Sequence, residues 1–345
     1  MIDICMYGCR SCNFSCDYCM GPSERQNEAF VLDEKRLKSA IDLVSKKKRN
    51  KNFFIWGGEP LLHFEEFQKT VVFLKNTFPD KRISFSTNGF LLKDDVIRSF
   101  IVKNGLHIQL SNDGIGQKFR SFINPLSDTE ISIFLSKLAA RGQLSINCVM
   151  HNKNCSVNKN IDYFVDWMKK YSCLNSKLNI RFTPFNESDL TPSFNFTEET
   201  SQIFLNEFET LFIRSLFPNF SDVSISHFLN FPKKLVRKSN LEKCEWKNKN
   251  ACSKFISGTI DKIHHIDTKG NFVSCNLIDS GIPPRGKIEK IIPDYCNGCE
   301  FQGCRGCYPC PAGDFPKKCV WKKAWMHFQM RMLLLESFVT KKDRK

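Results

Sequence analysis

Strand-like and helix-like segments alternate regularly along the first half of the chain. Between residues 50 and 185, short runs rich in β-branched and aromatic residues are separated by amphipathic helical stretches, and successive runs begin roughly 25–40 residues apart, as right-handed βαβ units require. This rhythm predicts a parallel α/β sheet curled into a partial (β/α)6 TIM-like barrel, with functional groups at the carboxyl ends of the strands. The predicted strands cover residues 2–6, 53–56, 83–86, 107–110, 145–149 and 178–182.

The alternation stops after residue 185, where the composition of the chain changes. With 345 residues, of which 41% are hydrophobic and 25% charged, the chain is long enough for about two domains. We expect the barrel to occupy residues 1–195 and a helical bridge to occupy 196–243. A small cysteine-rich domain is expected at 244–320, followed by a C-terminal helix and basic tail at 321–345.

Hydropathy and the N-terminal residues argue against a membrane-spanning or secreted chain. No run approaches the roughly 18–20 consecutive apolar residues that span a bilayer, and no signal peptide is visible. We therefore expect a cytoplasmic protein that does not bind membranes. The formal net charge of +15 suits nucleic acid, an acidic peptide or an anionic cofactor, and it suits solvated lysine faces equally well. Because no nucleic-acid-binding motif accompanies the charge, nucleic acid is not the expected partner.

Seventeen cysteines, an odd number, fall mainly into two clusters. Five lie within the first 19 residues, and nine lie between Cys244 and Cys319. A cytosolic chain keeps its thiols reduced, so this density predicts metal or redox cofactors rather than disulfides. The cysteines outside the candidate ligand sets are expected to be small buried apolar residues: Cys5, Cys9, Cys148, Cys155 and Cys173.

The first cluster contains a C-x3-C-x2-C loop of Cys12, Cys16 and Cys19, just past the first predicted strand. Three thiolates this close can each bind one iron of a 4Fe–4S cube and leave the fourth iron open for a ligand. Two alternatives include Cys9. One is a four-cysteine zinc site, for which the spacing is very short, and the other is a closed, electron-carrying cube.

This loop, including the aromatic Tyr18 before its last cysteine, resembles the signature of the radical S-adenosylmethionine (radical SAM) family. The resemblance implies that S-adenosylmethionine binds the open iron through its amino and carboxylate groups. It implies reductive cleavage of this cofactor to methionine and a 5′-deoxyadenosyl radical. It also implies an electron donor such as flavodoxin or ferredoxin.

Further segments follow the predicted strands where the family carries cofactor contacts. Residues 56–60 read Trp-Gly-Gly-Glu-Pro and are similar to the family's Gly-Gly-Glu-Pro motif, whose glutamate can accept from an ammonium. Residues 86–89 and 111–114 resemble its next two segments, with Ser111 on the methionyl part and Arg120, in the loop beyond, on the carboxylate. The cofactor contacts that the resemblance implies are Tyr18, Gly57, Gly58, Glu59, Asn88, Ser111, Asp113 and Arg120.

The second cysteine cluster resembles the SPASM extension of radical SAM enzymes, which carries two further 4Fe–4S clusters. A Gly-x4-Cys segment from Gly270 to Cys275 precedes a run of closely spaced cysteines, in which Cys304 and Cys307 compete for one role. On the residues alone, one or two zinc ribbons are an equal alternative. By the resemblance, Cys244, Cys252, Cys275 and Cys310 hold the cluster nearer the barrel, and Cys296, Cys299, Cys304 (or Cys307) and Cys319 hold the outer one.

SPASM-type enzymes mostly modify peptides or proteins, so the resemblance implies hydrogen abstraction from such a substrate, as in ribosomal peptide maturation. The auxiliary clusters would pass the product electron onward. Asn276 stands where sulfatase-maturing members carry an aspartate base, which argues against that activity. Because 11 residues precede Cys12, we expect no leader-binding domain before the barrel, and the positive charge suits an acidic leader.

Two other functions remain open on the residues. One is the same radical chemistry on a small molecule, such as a sugar or aminocyclitol alcohol, and the other is a zinc-stabilised protein that binds nucleic acid. The motifs identify no catalytic acid or base. Candidates by residue type only are His63, His107, His151, His264 and His265.

Overall fold

The computed structural model describes most of the predicted barrel and the start of the predicted helical bridge. The described residues are 2–9, 11–19, 31–45, 52–176, 178–185, 191–215 and 264–270. The predicted C-terminal helix and tail lie outside them. So do all the predicted ligands of the auxiliary clusters, Cys244, Cys252, Cys275, Cys296, Cys299, Cys304, Cys307, Cys310 and Cys319.

Among these described residues, seven parallel strands form one sheet in the order β6-β5-β4-β3-β2-β1-β7. The predicted parallel sheet is confirmed, and six of its strands correspond to the six predicted segments. The strands are β1 (Ile2–Tyr7), β2 (Asn52–Trp56), β3 (Ile83–Thr87), β4 (His107–Ser111), β5 (Leu144–Met150), β6 (Asn179–Pro184) and β7 (His264–Asp267).

Helices connect the first six strands, so that these strands follow one another as βαβ units. Asp94, Asp128 and Ser156 each cap a helix by accepting a hydrogen bond from a backbone N–H of its first turn. None of the helices in the described ranges combines the length and the hydropathy that a membrane span requires. The helices are α1 (Glu34–Ser45), α2 (Phe64–Thr77), α3 (Asp95–Lys103), α4 (Thr129–Ala140), α5 (Val157–Lys170) and α6 (Glu198–Ser215).

Apolar side chains of the strands and helices pack into one large core. In β5 every second residue is buried, which is the period of a strand with two different faces. Of the cysteines expected to be buried, Cys9, Cys148 and Cys173 are buried, whereas Cys5 and Cys155 are half-buried. The largest fully buried side chains include Phe53, Phe67, Phe85, Phe164, Phe182, Phe204 and Phe208.

The seventh strand, β7, has no counterpart among the predicted strands. It lies within the segment predicted to form the cysteine-rich domain, and it pairs in parallel with β1, from Ile4 opposite His264 to Tyr7 opposite Asp267. Thr268, just after β7, donates to the carbonyl oxygen of Val31 at 2.6 Å. The sheet therefore extends by one strand on the far side of β1.

Candidate functional site

The predicted motif segments meet at one edge of the sheet. The cysteine loop, residues 11–19, follows β1, and residues 57–60 follow β2. Residues 88–89 follow β3, and residues 112–114 follow β4. Because all these strands are parallel, their carboxyl ends lie side by side, as expected for a ligand site in an α/β sheet.

Backbone hydrogen bonds join the Gly-Gly-Glu-Pro segment to the residues that follow β1. The N–H of Gly58 donates to the carbonyl oxygen of Cys9 at 2.7 Å, and that of Glu59 donates to Ser11 at 2.8 Å. A Cβ atom on Gly57 would lie 2.4 Å from the Cys9 carbonyl oxygen. Glycine at position 57 therefore permits a backbone approach that a larger residue would block.

Cys9 belongs to the hydrophobic core, with 2% of its surface exposed. Its Sγ lies 3.7 Å from the carbonyl oxygen of Ser11 and 3.6 Å from that of Glu59. Burial, followed by the nearby Glu59 carboxylate, raises the pKa of this thiol to about 12. Because its sulfur contacts two backbone carbonyl oxygens inside the core, this position argues against the alternatives in which Cys9 is a fourth ligand.

The other three cysteines of the loop lie nearer the surface. Cys12 and Cys16 are half-buried, and Cys19 is exposed. Cys12 Sγ accepts from the backbone N–H of Phe14 at 3.5 Å and lies 4.0 Å from Asn88 Nδ2. Burial raises the pKa of the Cys16 thiol to about 11, with Cys19 and Cys12 contributing in the same direction.

The donor set of three thiols fits an iron–sulfur cube, in which each thiolate binds a different iron. Among the described residues, no three Cys, His, Asp or Glu side chains converge on a point where they could hold one metal ion. The N–H donors near Cys12 are of the kind that tunes cluster sulfurs. Cys12, Cys16 and Cys19 would be the ligands.

Glu59 lies at the centre of the motif segments and is fully buried. Its Oε1 accepts from Thr87 Oγ1 at 2.9 Å and from Leu61 N at 3.2 Å, while its Oε2 accepts from Asn88 N at 2.7 Å. Burial raises the pKa of Glu59 to about 7, against the opposing effect of these hydrogen bonds. The carboxyl group ties the end of β2 to the end of β3, in addition to its predicted contact with the cofactor.

Asn88 connects this carboxyl group to the cysteine loop. Its side-chain Nδ2 donates to Asn13 Oδ1 at 2.7 Å, while its backbone N–H donates to Glu59. Ser111, at the end of β4, lies with its Oγ 3.4 Å from Ser86 Oγ at the end of β3. Both predicted contact residues therefore lie on the same edge as the cysteine loop.

The buried residues Tyr18, in the cysteine loop, and Asp113 form a polar cluster with the partly buried Arg120. Asp113 Oδ1 accepts from Arg120 Nη2 at 2.9 Å and from Val149 N at 2.9 Å, and Oδ2 accepts from the Tyr18 hydroxyl. The Arg120 guanidinium carbon lies 5.6 Å from the centre of the Tyr18 ring. Within the described part of the chain, Arg120 Nε is buried without a hydrogen-bond partner. Three residues predicted separately are thus in mutual contact.

His151, which the sequence gives as an acid or base candidate by residue type only, packs against this cluster. It is fully buried just after β5, with its ring centre 5.2 Å from that of Tyr18. Its Nδ1 accepts from Lys153 N at 3.1 Å, which places the proton of the neutral ring on Nε2. Nε2 has no hydrogen-bond partner among the described residues. Burial lowers the pKa of His151 to about 4.

Aromatic residues that sequence reasoning missed complete the surroundings of Tyr18. Phe185 and Phe194 have ring centres 6.1 and 5.7 Å from that of Tyr18, and Phe119 packs 5.5 Å from His151. No motif marks these phenylalanines; only their positions in loops beyond β4 and β6 relate them to the site. His107, by contrast, begins β4 and therefore lies at the opposite edge of the sheet.

The fold and the site together define a class: a partial parallel α/β barrel with a three-cysteine loop at the carboxyl edge of its sheet. Residues 6–152 match the family model of the Radical SAM superfamily. The matched region contains the cysteine loop, the Gly-Gly-Glu-Pro segment, Asp113, Arg120 and His151. The chain is thus similar to radical SAM proteins over the part that builds the site.

A curated relative matches a comparable length. The uncharacterized protein MJ0907 of Methanocaldococcus jannaschii is 24% identical over 164 residues, which are 46% of this chain and 54% of that protein. The chain therefore spans about half the length of this relative.

Solved structures share the fold. The structure of native anSMEcpe with bound AdoMet and Cp18Cys peptide matches with a TM-score of 0.61 at 17% identity, covering 97% of this chain and 98% of that one. Native anSMEcpe with bound AdoMet matches with a TM-score of 0.57 at 16% identity, covering 96% and 98%. At these identities the likeness establishes the barrel fold.

Proposed function

We propose that this protein is a radical SAM enzyme that abstracts a hydrogen atom from a peptide or protein substrate. The observation that carries the proposal is the packing of the three-cysteine loop on the Gly-Gly-Glu-Pro segment, with Cys9 buried beneath it. The three other thiols of the loop would each hold one iron of a cube and leave the fourth iron for S-adenosylmethionine. The match of residues 6–152 to the Radical SAM superfamily supports the same conclusion.

Each group at the edge of the sheet has a proposed role. Cys12, Cys16 and Cys19 hold the cluster, which when bound supplies the electron that cleaves S-adenosylmethionine to methionine and a 5′-deoxyadenosyl radical. Glu59 accepts from the cofactor's ammonium, and Arg120 binds its carboxylate. The remaining proposed cofactor contacts are Tyr18, Gly57, Gly58, Asn88, Ser111 and Asp113.

The aromatic cluster around Tyr18 keeps water from the Asp113 and Arg120 charges. Phe185 and Phe194 are buried against the Tyr18 ring, and the Asp113 carboxylate is itself fully buried. In such surroundings the ion pair is screened less than it would be at the surface. The guanidinium of Arg120 therefore has a defined orientation for a ligand carboxylate.

The choice of a peptide substrate rests on likeness alone. The anSMEcpe structure contains a bound peptide, and the second cysteine cluster resembles the SPASM extension of peptide-modifying enzymes. We further propose two auxiliary 4Fe–4S clusters in residues 244–320, an electron donor such as flavodoxin or ferredoxin, and a cytoplasmic location. Asn276 in place of an aspartate makes sulfatase maturation a less suitable assignment.

Anaerobic reconstitution tests the radical chemistry. The protein should bind iron and, with dithionite and S-adenosylmethionine, release 5′-deoxyadenosine. Cys16→Ala should abolish 5′-deoxyadenosine and remove about four irons per chain, whereas Cys9→Ala should leave iron content and 5′-deoxyadenosine unchanged, because in the proposal this buried thiol is not a ligand. A colourless zinc protein, or loss of iron from Cys9→Ala equal to that from Cys16→Ala, would overturn the proposal.

A second experiment tests the substrate class. Peptides encoded beside the gene are added to the reduced holoenzyme, and their masses are measured after 5′-deoxyadenosine has formed. A loss of hydrogen from one of these peptides supports the peptide assignment. Unchanged peptides together with oxidation of an aminocyclitol alcohol would replace it with the small-molecule alternative.

A further inference from the structure

Two buried asparagines lie directly beneath the turn that carries Asp113. Asn154 is 2% exposed and follows β5, and Asn160 is fully buried in α5. Neither belongs to the motif segments of the site. Buried side-chain amides are costly unless their polar atoms are paired, so their hydrogen bonds show what the two residues hold in place.

Asn154 links the end of β4 to the end of β5. Its Nδ2 donates to the carbonyl oxygens of Asp113 and Val149, each at 3.1 Å. Its Oδ1 accepts from Asn160 Nδ2 at 2.9 Å. Val149 also donates its own N–H to Asp113 Oδ1 at 2.9 Å. The Asp113 residue is therefore held through its backbone carbonyl and through its carboxylate.

Asn160 holds the other side of the same turn. Its Nδ2 donates to the carbonyl oxygen of Ser156 at 2.8 Å, and its Oδ1 accepts from the N–H of Ile115 at 3.2 Å. With the bond to Asn154, both hydrogens of Nδ2 are used. The two amides thus form a fully paired network, which fixes a single arrangement of the turn.

The backbone of the turn is in direct contact with the side chains of these two asparagines. Gly114 has a φ of +58°, and a Cβ there would lie 2.2 Å from Asn160 Oδ1. A Cβ on Gly116 would lie 2.5 Å from Asn154 Cγ. Glycine at both positions lets the backbone lie against the asparagine side chains, so a movement of either amide moves the turn.

We propose that Asn154 and Asn160 are positioning residues that set the orientation of the Arg120 guanidinium through Asp113. Arg120 bonds to Asp113 Oδ1, the same oxygen that accepts from Val149, so the network that places Asp113 also places the guanidinium. The inference rests on the proposed function, in which Arg120 binds the carboxylate of S-adenosylmethionine. It adds two residues outside the motifs to the set that determines cofactor affinity.

A double-mutant cycle on the reconstituted holoenzyme tests the proposal. The dissociation constant of S-adenosylmethionine is measured by equilibrium dialysis for Asn160→Ala, Arg120→Met and the double variant. We expect Asn160→Ala to weaken binding about tenfold and to have no further effect once Arg120 has been replaced, because residues in one network are coupled. Asn158→Ala, on the exposed side of α5, is the matched control and should bind as the wild type does.

The outcomes separate the two proposals. If Asn160→Ala binds as tightly as wild type, or if its effect adds fully to that of Arg120→Met, the asparagines are structural and the inference fails while the proposed function stands. If Arg120→Met itself leaves binding unchanged, the role of Arg120 fails, and the inference fails with it. Should Asn160→Ala not fold, Asn154→Ser replaces it in the same cycle, with circular dichroism confirming folding.

Discussion

The Asp113 carboxylate and the Arg120 guanidinium form an ion pair at the carboxyl end of β4, with 2.9 Å between Oδ1 and Nη2; the carboxylate is fully buried, and the Arg120 side chain is 11% exposed. The same carboxylate accepts from Tyr18, which lies between two of the loop cysteines. One buried charge therefore links the loop after β1 to the loop after β4. A ligand that reaches Arg120 lies beside the cysteine loop as a consequence.

Replacing Asp113 tests this ion pair. Asp113→Asn keeps the shape of the side chain but leaves the buried Arg120 charge without a counter-ion. We expect the free energy of unfolding to fall by about 3–5 kcal/mol, measured by urea denaturation. Asp17→Asn, at an exposed position of the cysteine loop, is the control and should change stability by no more than about 0.5 kcal/mol. Equal losses in the two variants would contradict a buried pair.

Gly57→Ala tests the close contact between the Gly-Gly-Glu-Pro segment and the backbone of Cys9. The added Cβ would lie 2.4 Å from a carbonyl oxygen that cannot rotate away, so we expect a loss of more than about 3 kcal/mol in thermal or urea unfolding. The control is Gly105→Ala, whose Cβ meets nothing within 4 Å. Its φ of +59° should cost only about 1–2 kcal/mol. A smaller loss of stability in Gly57→Ala than in Gly105→Ala would show that the backbone contact with Cys9 can relax.

Glu59→Gln tests the buried carboxyl group. In the folded protein the pKa of Glu59 is raised from 4.5 to about 7, so its stabilising contribution is complete below pH 4.5 and is lost as the pH rises through 7. That loss amounts to roughly 3 kcal/mol, and Glu59→Gln should lack it. Urea unfolding at pH 5 and pH 8 measures the difference. Parallel pH dependences of wild type and variant would refute the raised pKa.

His151 should give the opposite dependence of stability on pH. Its pKa is lowered from 6.5 to about 4, so its contribution is complete above pH 6.5 and is lost as the pH falls through 4, again by roughly 3 kcal/mol. His151→Asn, whose Oδ1 can replace Nδ1 as the acceptor for Lys153, should remove this loss. Nuclear magnetic resonance titration of the ring provides a direct check. A measured pKa near 6.5 would show that the imidazole is hydrated.

The positions of the first six strands and of the motifs along the chain were predictable because both depend on short-range patterns. Each predicted strand carries its own run of apolar residues, and each motif follows a strand directly. Strand β7 was not predictable in this way, because its four residues become a strand only by pairing with β1. The hydrogen bonds of Glu59 were not predictable either, because its oxygens accept from Thr87 and Asn88, which lie almost 30 residues further along the chain.

The position of His151 in the site was likewise not predictable from the sequence. The sequence offered five histidines without a reason to choose among them. Contact with Tyr18 and burial behind Phe119 and Phe194 distinguish His151, and these neighbours come from three different loops. No sequence pattern marks Asn154 and Asn160, because the role of a buried amide depends on hydrogen-bond partners that only the fold supplies.

By itself, the sequence determined the parallel sheet, the edge at which its motif segments meet, and the thiol chemistry available there. The sequence predicted a buried Cys9 but left it open as a fourth ligand. Only the tertiary structure decided that its sulfur contacts backbone carbonyl oxygens in the core, and that Asp113 bonds to both Tyr18 and Arg120. The physical reason is the range of the forces involved. Periodicity and turn preference act between neighbours in the chain, whereas burial and polar pairing depend on which distant segments the fold brings together.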